Sequence, residues 1–224
     1  MRAVTPRRDD IGRLAALDDP LRRRLHGFVR SKGRPVGRDE AAKKLRIGRS
    51  LAAYHLDKLA DEGLLEVSYA RPEGRTGPGA GRPAKLYVPA AGEVAVTVPA
   101  RDYELAAGLF ADAADADGSG RVAGAVRETA RARGRELGES RRGGALGKAV
   151  SERGYEPFED EEGTLRLRNC PFDRLATEHR DLVCGMNHAL LEGLLDGLER
   201  DDLVAELEPR PGCCCVAIRA RDQG

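Results

Sequence analysis

The stretch Arg49–Val67, RSLAAYHLDKLADEGLLEV, decides how the first half of this chain folds. Ala52, Leu56 and Leu59 recur at helical spacing and form one apolar stripe. Leu64, Leu65 and Val67 follow where a strand would close a core behind that helix. Gly63 stands where a C-cap would end it. The opposite face carries Arg49, Ser50, Ala53, Tyr54 and Lys58. Hydroxyls of Ser50 and Tyr54 suit phosphates or base edges, the two cations suit phosphates, and Ala53 permits close approach to a thymine methyl. His55 is expected to pack within the helix rather than to read a base.

Upstream, apolar residues from Ile11 to Val29 fall at helical spacing, with Pro20 marking a break or a helix start. A turn over 32–37, a short helix Arg38–Leu45 and a tight Arg46–Gly48 connection follow. Downstream, Leu65–Tyr69 and Lys85–Val88 have strand character and flank a Gly/Pro/Arg loop, Arg71–Pro83. Arg75, Arg82 and Lys85 are placed there to neutralise phosphates or enter a minor groove. Helix, short helix, turn, helix, strand, basic loop, strand is the order of a winged helix-turn-helix, which we place at residues 1–95. Gly92–Pro99 reads as a strand or linker.

The net charge of +1 over 224 residues hides a division. Residues 1–90 hold 20 basic and 11 acidic side chains, whereas 91–224 hold 18 and 26. One half suits a polyanion and the other does not. Arginine outnumbers lysine 32 to 6 over the whole chain and prevails in both halves, so that bias is given no functional weight. No apolar run approaches the roughly 20 residues that span a bilayer, and Arg7 and Arg8 precede no apolar stretch. A cytoplasmic protein without membrane association is expected.

Residues 96–224 read as an α+β sensor and dimerisation domain. Helices are expected at Arg101–Ala116, Val122–Leu137, Ala145–Arg153 and Phe172–Leu198. A hairpin is expected from Tyr155–Glu159 and Thr164–Arg168, and two further strands at Leu203–Leu207 and Cys214–Ile218. The fold class of the whole is α+β. All five cysteines lie in this half: Cys170, Cys184, Cys213, Cys214 and Cys215. The gaps of 13 residues between Cys170 and Cys184, and of 28 between Cys184 and Cys213, are not the short pairs of a zinc ribbon. Strand alternation puts Cys213 and Cys215 on one face and Cys214 on the other, so one side of the triplet would serve a given site.

Arg49–Val67 resembles the helix-turn-helix of ArsR/MarR-like winged-helix regulators. The wing end GRPAKLY (Gly81–Tyr87) narrows the resemblance to the SufR-like repressors of iron–sulfur cluster assembly. It continues through NCPF (Asn169–Phe172), LVCGMN (Leu182–Asn187) and PGCCCV (Pro211–Val216). The resemblance implies a homodimeric repressor of a double-stranded DNA operator, with an iron–sulfur cluster held by C-terminal cysteines. This chain departs from the group's pattern in having no cysteine over 186–212. Three thiolates would then leave an open iron position or take Asp173, His179 or His188 as a further ligand. Zinc binding or thiol redox sensing by the same cysteines is the alternative, and a small-molecule domain docked through a winged helix is another. The first helix and the Arg101–Leu137 helices are the expected dimer surfaces.

Asp115–Val122 imitates the start of an EF-hand, but the twelfth position is Val126, where calcium needs a bidentate Glu. A helix-to-helix turn is expected instead. The acidic run Glu159–Glu162 reads as a solvated hairpin tip. No phosphate-binding loop or nucleophile elbow is present, so no enzymatic activity is expected.

Overall fold

A computed structural model describes residues 8–70, 83–96 and 101–221. The chain divides into two compact units, Met1–Asp102 and Tyr103–Gly224, and both mix helices with small antiparallel sheets. No helix among the described residues is long and apolar enough to cross a membrane.

The first unit begins with α1 (Arg8–Ala16) and α2 (Pro20–Lys32). Pro20 starts α2 rather than kinking a longer helix, because the Asp19 side chain accepts from the N–H groups of Leu21 (2.8 Å) and Arg22 (2.9 Å). Gly33 ends α2 in the left-handed conformation. The turn that follows contains a strand the sequence did not announce, β1 (Val36–Gly37). Next come α3 (Arg38–Leu45), α4 (Arg49–Asp61), β2 (Leu65–Ala70) and β3 (Ala84–Pro89), in a sheet ordered β1-β3-β2.

Ala52, Leu56 and Leu59 of α4 are fully buried against Leu25, Val29, Val36, Ala41 and Leu45, with Leu64 and Leu65 below them. Each such leucine contributes about 2 kcal/mol of transfer free energy. Val67 departs from expectation at 36 % exposure. After Leu65, every residue of β2 is exposed, and Tyr87, opposite Val67, fills the core instead. Residues 91–96 form no strand.

The second unit contains α5 (Tyr103–Asp115), α6 (Arg121–Glu139), α7 (Leu146–Ser151), β4 (Pro157–Glu159), β5 (Leu165–Leu167), α8 (Asp173–Glu178), α9 (Arg180–Gly197), β6 (Leu203–Leu207) and β7 (Val216–Ala220). Its sheet is ordered β4-β5-β7-β6. The EF-hand imitation is a capped turn between α5 and α6: Asp117 accepts from Ser119 N–H (3.2 Å), Ser119 hydroxyl (2.6 Å) and Val122 N–H (2.9 Å). The expected helix Phe172–Leu198 is broken at His179, whose backbone leaves the helical region at φ −123°, ψ 51°.

Helices α6 and α9 meet backbone to backbone. A Cβ on Gly134 would stand 2.0 Å from the Leu190 carbonyl oxygen, and one on Gly193 2.0 Å from that of Arg131. One turn on, Gly138 and Gly197 repeat the approach at 2.5 and 2.1 Å from the carbonyls of Leu194 and Arg135. Only glycine allows two helices this close. Asp196 clamps the same seam by ion pairs to Arg131 and Arg135, both at 3.1 Å.

Candidate functional site

In the first unit, α4 presents the expected face. Arg49, Ser50, Tyr54 and Lys58 are exposed, Tyr54 at 62 %, and Ala53 is half-buried. Arg49 and Lys58 are engaged by neighbours, Asp39 at 2.5 Å and Glu62 at 3.1 Å, through well-solvated pairs worth little in stability. Such weak partners are readily exchanged for a stronger anion. Lys85 is held differently: its ammonium and the Tyr87 hydroxyl (2.7 Å) both donate to the Asp57 carboxylate, tying β3 to α4. Burial by itself would raise the Asp57 carboxyl, but the Lys85 and Tyr87 donors outweigh it and hold it below its ordinary range. Lys85 therefore orients the hairpin, with its charge already offset. Arg75 and Arg82 lie outside the described residues. His55 is buried at 8 % exposure, as a packing residue, and its Nδ1 has no hydrogen-bond partner.

The second unit gathers sulfur. Asn169 donates to the Gly154 carbonyl (2.6 Å), and Pro171 sits against Gly154, so the NCPF segment is fixed and Cys170 faces inward. Cys184 lies on α9 with Asn187 three residues on, and these share one helix face. The triplet arrives from a third direction. Cys214 N–H donates to Leu167 of β5 (2.7 Å), and Glu208 N–H donates to the Cys215 carbonyl (2.8 Å). Behind that loop, buried Arg166 joins Asp160 (2.9 Å) to Glu208 (2.7 Å), while Arg210 reaches Glu208 as well.

Four of the five thiols meet there. Cys214 and Cys215 belong to the core of the unit and Cys170 and Cys184 pack against it, near enough for hydrogen bonding of Cys214 with Cys170 and Cys215, and of Cys215 with Cys184, to govern how these thiols titrate. The sequence expectation of alternation fails at this point. Residues 213–215 precede β7, which starts only at Val216, so no pleat sends Cys214 and Cys215 to opposite faces. Both are buried in the core of the unit. Cys213 stays in the turn, half-buried, with its N–H on the Arg210 carbonyl (3.1 Å). It joins none of these thiol hydrogen bonds.

Cys214 is the focus of the set. Its sulfur accepts from the Cys170 thiol, the Cys215 thiol, the Val216 N–H and the Asn187 amide (3.1 Å), and these donors pull it well below the ordinary thiol range. Cys170 and Cys215 are pushed up in turn, chiefly because each hydrogen-bonds to Cys214. Asn187 is fully buried and its amide is oriented from behind, since the Tyr155 hydroxyl donates to its Oδ1. This Tyr155–Asn187 support was not foreseen from the sequence; a buried Asn three residues after Cys184 was the available signal.

Of the further ligands considered from the sequence, the two histidines have other partners. His179 Nδ1 bonds to Asp115 (2.6 Å), and that contact, with Asp112 beyond it, raises the ring above its ordinary range. His188 Nε2 lies 2.9 Å from the Ala205 carbonyl. Asp173 adjoins the thiols: its N–H bonds to the Cys170 carbonyl (3.1 Å) at the start of α8.

Among the described residues, no three His, Cys, Asp or Glu side chains already stand around a common metal position. Side-chain rotations would be needed for these sulfurs to face one centre. The donor set itself is all-sulfur, partly desolvated and supported by N–H donors, which is the chemistry of iron–sulfur and structural zinc sites. A cleft of about 410 Å³ opens beside Cys184 and Cys215. No protein-family model, curated protein or solved structure matches the chain.

Proposed function

We propose that this chain is a DNA-binding transcriptional repressor whose second unit holds an iron–sulfur cluster on Cys170, Cys184, Cys214 and Cys215. The observation that carries the reading is the convergence of four thiols from three separate segments onto one partly desolvated place. When bound, the cluster supplies a charge and ligation state that answer to iron, sulfide and oxidants. Asn187, held by Tyr155, keeps an N–H donor on the Cys214 sulfur, and the Arg166 network holds the loop that brings Cys214 and Cys215 inward.

For the first unit, the α2–α3–α4 core with a three-stranded sheet supports a winged helix-turn-helix, with α4 in the major groove. Arg49, Ser50, Ala53, Tyr54 and Lys58 would meet the operator. The protein is a homodimer in this reading. Exposed apolar residues support it: Ile11 and Leu14 on α1, and Tyr103, Leu109 and Phe110 on α5, with Phe110 at 77 % exposure. Cluster loading would alter operator affinity only to the extent that the cluster prefers one dimer conformation.

A second reading, zinc on the same four thiols, is favoured by the all-cysteine donor set gathered in and against one core, which suits a structural ZnS₄ site as well as a cluster. Anaerobic purification, followed by iron, sulfide and zinc analysis and a visible spectrum, separates the two. The cluster reading expects colour with iron and acid-labile sulfide in equal amounts. Colourless protein that cannot be reconstituted overturns it, and bound zinc then selects the second reading. Retention on operator DNA tests the other half: Tyr54→Ala should weaken it, and unchanged retention at moderate salt would remove Tyr54 from the interface.

A further inference from the structure

The cleft beside the thiol run has a polarity of its own. Two of the four thiols, Cys184 and Cys215, line it, together with Arg127, Arg180 and Asp181. Its volume of about 410 Å³ falls within the range of small-molecule sites. Among the described residues, the side chains of Arg127, Arg180 and Asp181 make no hydrogen bond or ion pair. This is unusual for the region, because Arg131 and Arg135 further along α6 are both matched to Asp196. Arg127 lies beside Gly185 at the cleft: a Cβ there would meet the arginine Cδ at 3.5 Å and Nη1 at 3.6 Å, ordinary van der Waals contact. The remaining polar liner, His188, is occupied by the Ala205 carbonyl at 2.9 Å and faces Glu192 at 3.7 Å.

Two unmatched guanidinium groups, one unmatched carboxylate and two thiols in one cleft describe a complementary ligand. Carboxylates suit Arg127 and Arg180, an ammonium suits Asp181, and a sulfur–sulfur bond suits Cys184 and Cys215. We infer that the cleft binds amino-acid-derived disulfides and that the metal-free protein exchanges with them through Cys184 and Cys215. Cys184, the more accessible of the two, releases its proton to water and attacks one sulfur of the ligand. The ligand's S–S bond breaks, and its departing thiolate takes up a proton, leaving a mixed disulfide on Cys184. Cys215, which lines the same cleft, loses its proton to water and attacks the Cys184 sulfur, expelling the second ligand thiol. One disulfide is reduced to two thiols and two protein thiols become one disulfide, so electrons and protons balance. Cys170 and Cys214 do not line the cleft. The inference rests on the thiol run and the cleft, not on the cluster, since thiols ligating a metal cannot exchange.

The test uses the full chain, reduced and stripped of metal with a chelator, and oxidised glutathione as probe. Peptide mass spectrometry over time should show the first adduct on Cys184, then a Cys184–Cys215 disulfide with both glutathiones released. Arg127→Gln combined with Arg180→Gln should slow this about tenfold, the loss of two partly exposed ion pairs. Exchange with uncharged hydroxyethyl disulfide should keep its rate in that variant, which also shows that the fold is intact. A first adduct on Cys213 or Cys170, no adduct at all, or equal slowing with both probes overturns the inference. Iron and sulfide content of the protein as isolated reports separately on the cluster.

Discussion

Helix α4 in the first unit and helix α9 in the second are both buried along one side, but they are buried by different means. Helix α4 uses side chains: Ala52, Leu56 and Leu59 fill a space shared with α2, α3 and the sheet. Its outer face is left free for cations and hydroxyls. Helix α9 lies on the backbone of α6 through Gly193 and Gly197, and its chemistry, Cys184 and Asn187, faces inward. The difference sets what each helix tolerates. A side-chain interface can be refilled by a residue of similar volume, whereas a carbonyl two ångströms from a missing Cβ can only move with its whole helix.

The largest effect should follow from Gly134→Val or Gly193→Val. Either should cost about 4 kcal/mol or more and leave the second unit unfolded, read as lost protease resistance of 103–221. Retained resistance would mean that α6 and α9 are not in backbone contact. Next in size, Leu56→Ala should cost about 3 kcal/mol in denaturant melts of the first unit, by removing a fully buried side chain. Leu56→Met should cost under about 1.5 kcal/mol, and a Met variant as damaging as Ala would erase the contrast between the two helices.

Much of the contrast was legible in the sequence, for reasons that differ along the chain. The α4 stripe was visible because leucines at helical spacing are themselves the packing atoms. Gly63 likewise carries its capping role in its identity, whereas the Asp19 cap that makes Pro20 a helix start emerged only in the structure. The α6–α9 seam was not legible, since glycine at 134, 138, 193 and 197 leaves no side chain to form a periodic signal, and the partner carbonyls lie about 60 residues away. β1 was missed because two residues hold no pattern; only pairing with Leu86 and Tyr87 makes them a strand. At the thiols, the cysteines were evident but their geometry was not. Alternation applies to a pleated strand, and the triplet precedes one.

A subtler test concerns acid. Arg166 is the first cause holding the Asp160 and Glu208 carboxyls below their ordinary values of 3.8 and 4.5. Carboxyls depressed in the folded state stabilise it above those ordinary values, and that contribution fades as pH falls through and below them. Denaturant midpoints of the second unit should thus drop on acidification below about pH 4.5, and Arg166→Met should flatten that part of the profile. An unchanged profile would detach the network from the loop that carries Cys214 and Cys215.

The smallest effect belongs to His55. Its buried Nδ1 is unpartnered, so His55→Leu should be neutral or stabilising by about 1 kcal/mol in thermal melts. A clear loss of stability would show that the ring nitrogen has a partner in solution. The unpartnered His55 Nδ1 in the first unit then contrasts with Asn187 in the second, whose amide both accepts from Tyr155 and donates to Cys214.

The proposed cluster on Cys170, Cys184, Cys214 and Cys215 is tested most directly by iron and acid-labile sulfide analysis of five single Cys→Ser variants purified anaerobically. The account predicts that Cys213→Ser keeps the full content and colour of the parent. Cys170→Ser, Cys184→Ser, Cys214→Ser and Cys215→Ser should each lose most of both. A parent without iron and sulfide, or a panel in which Cys213 is required and Cys214 is dispensable, would contradict it.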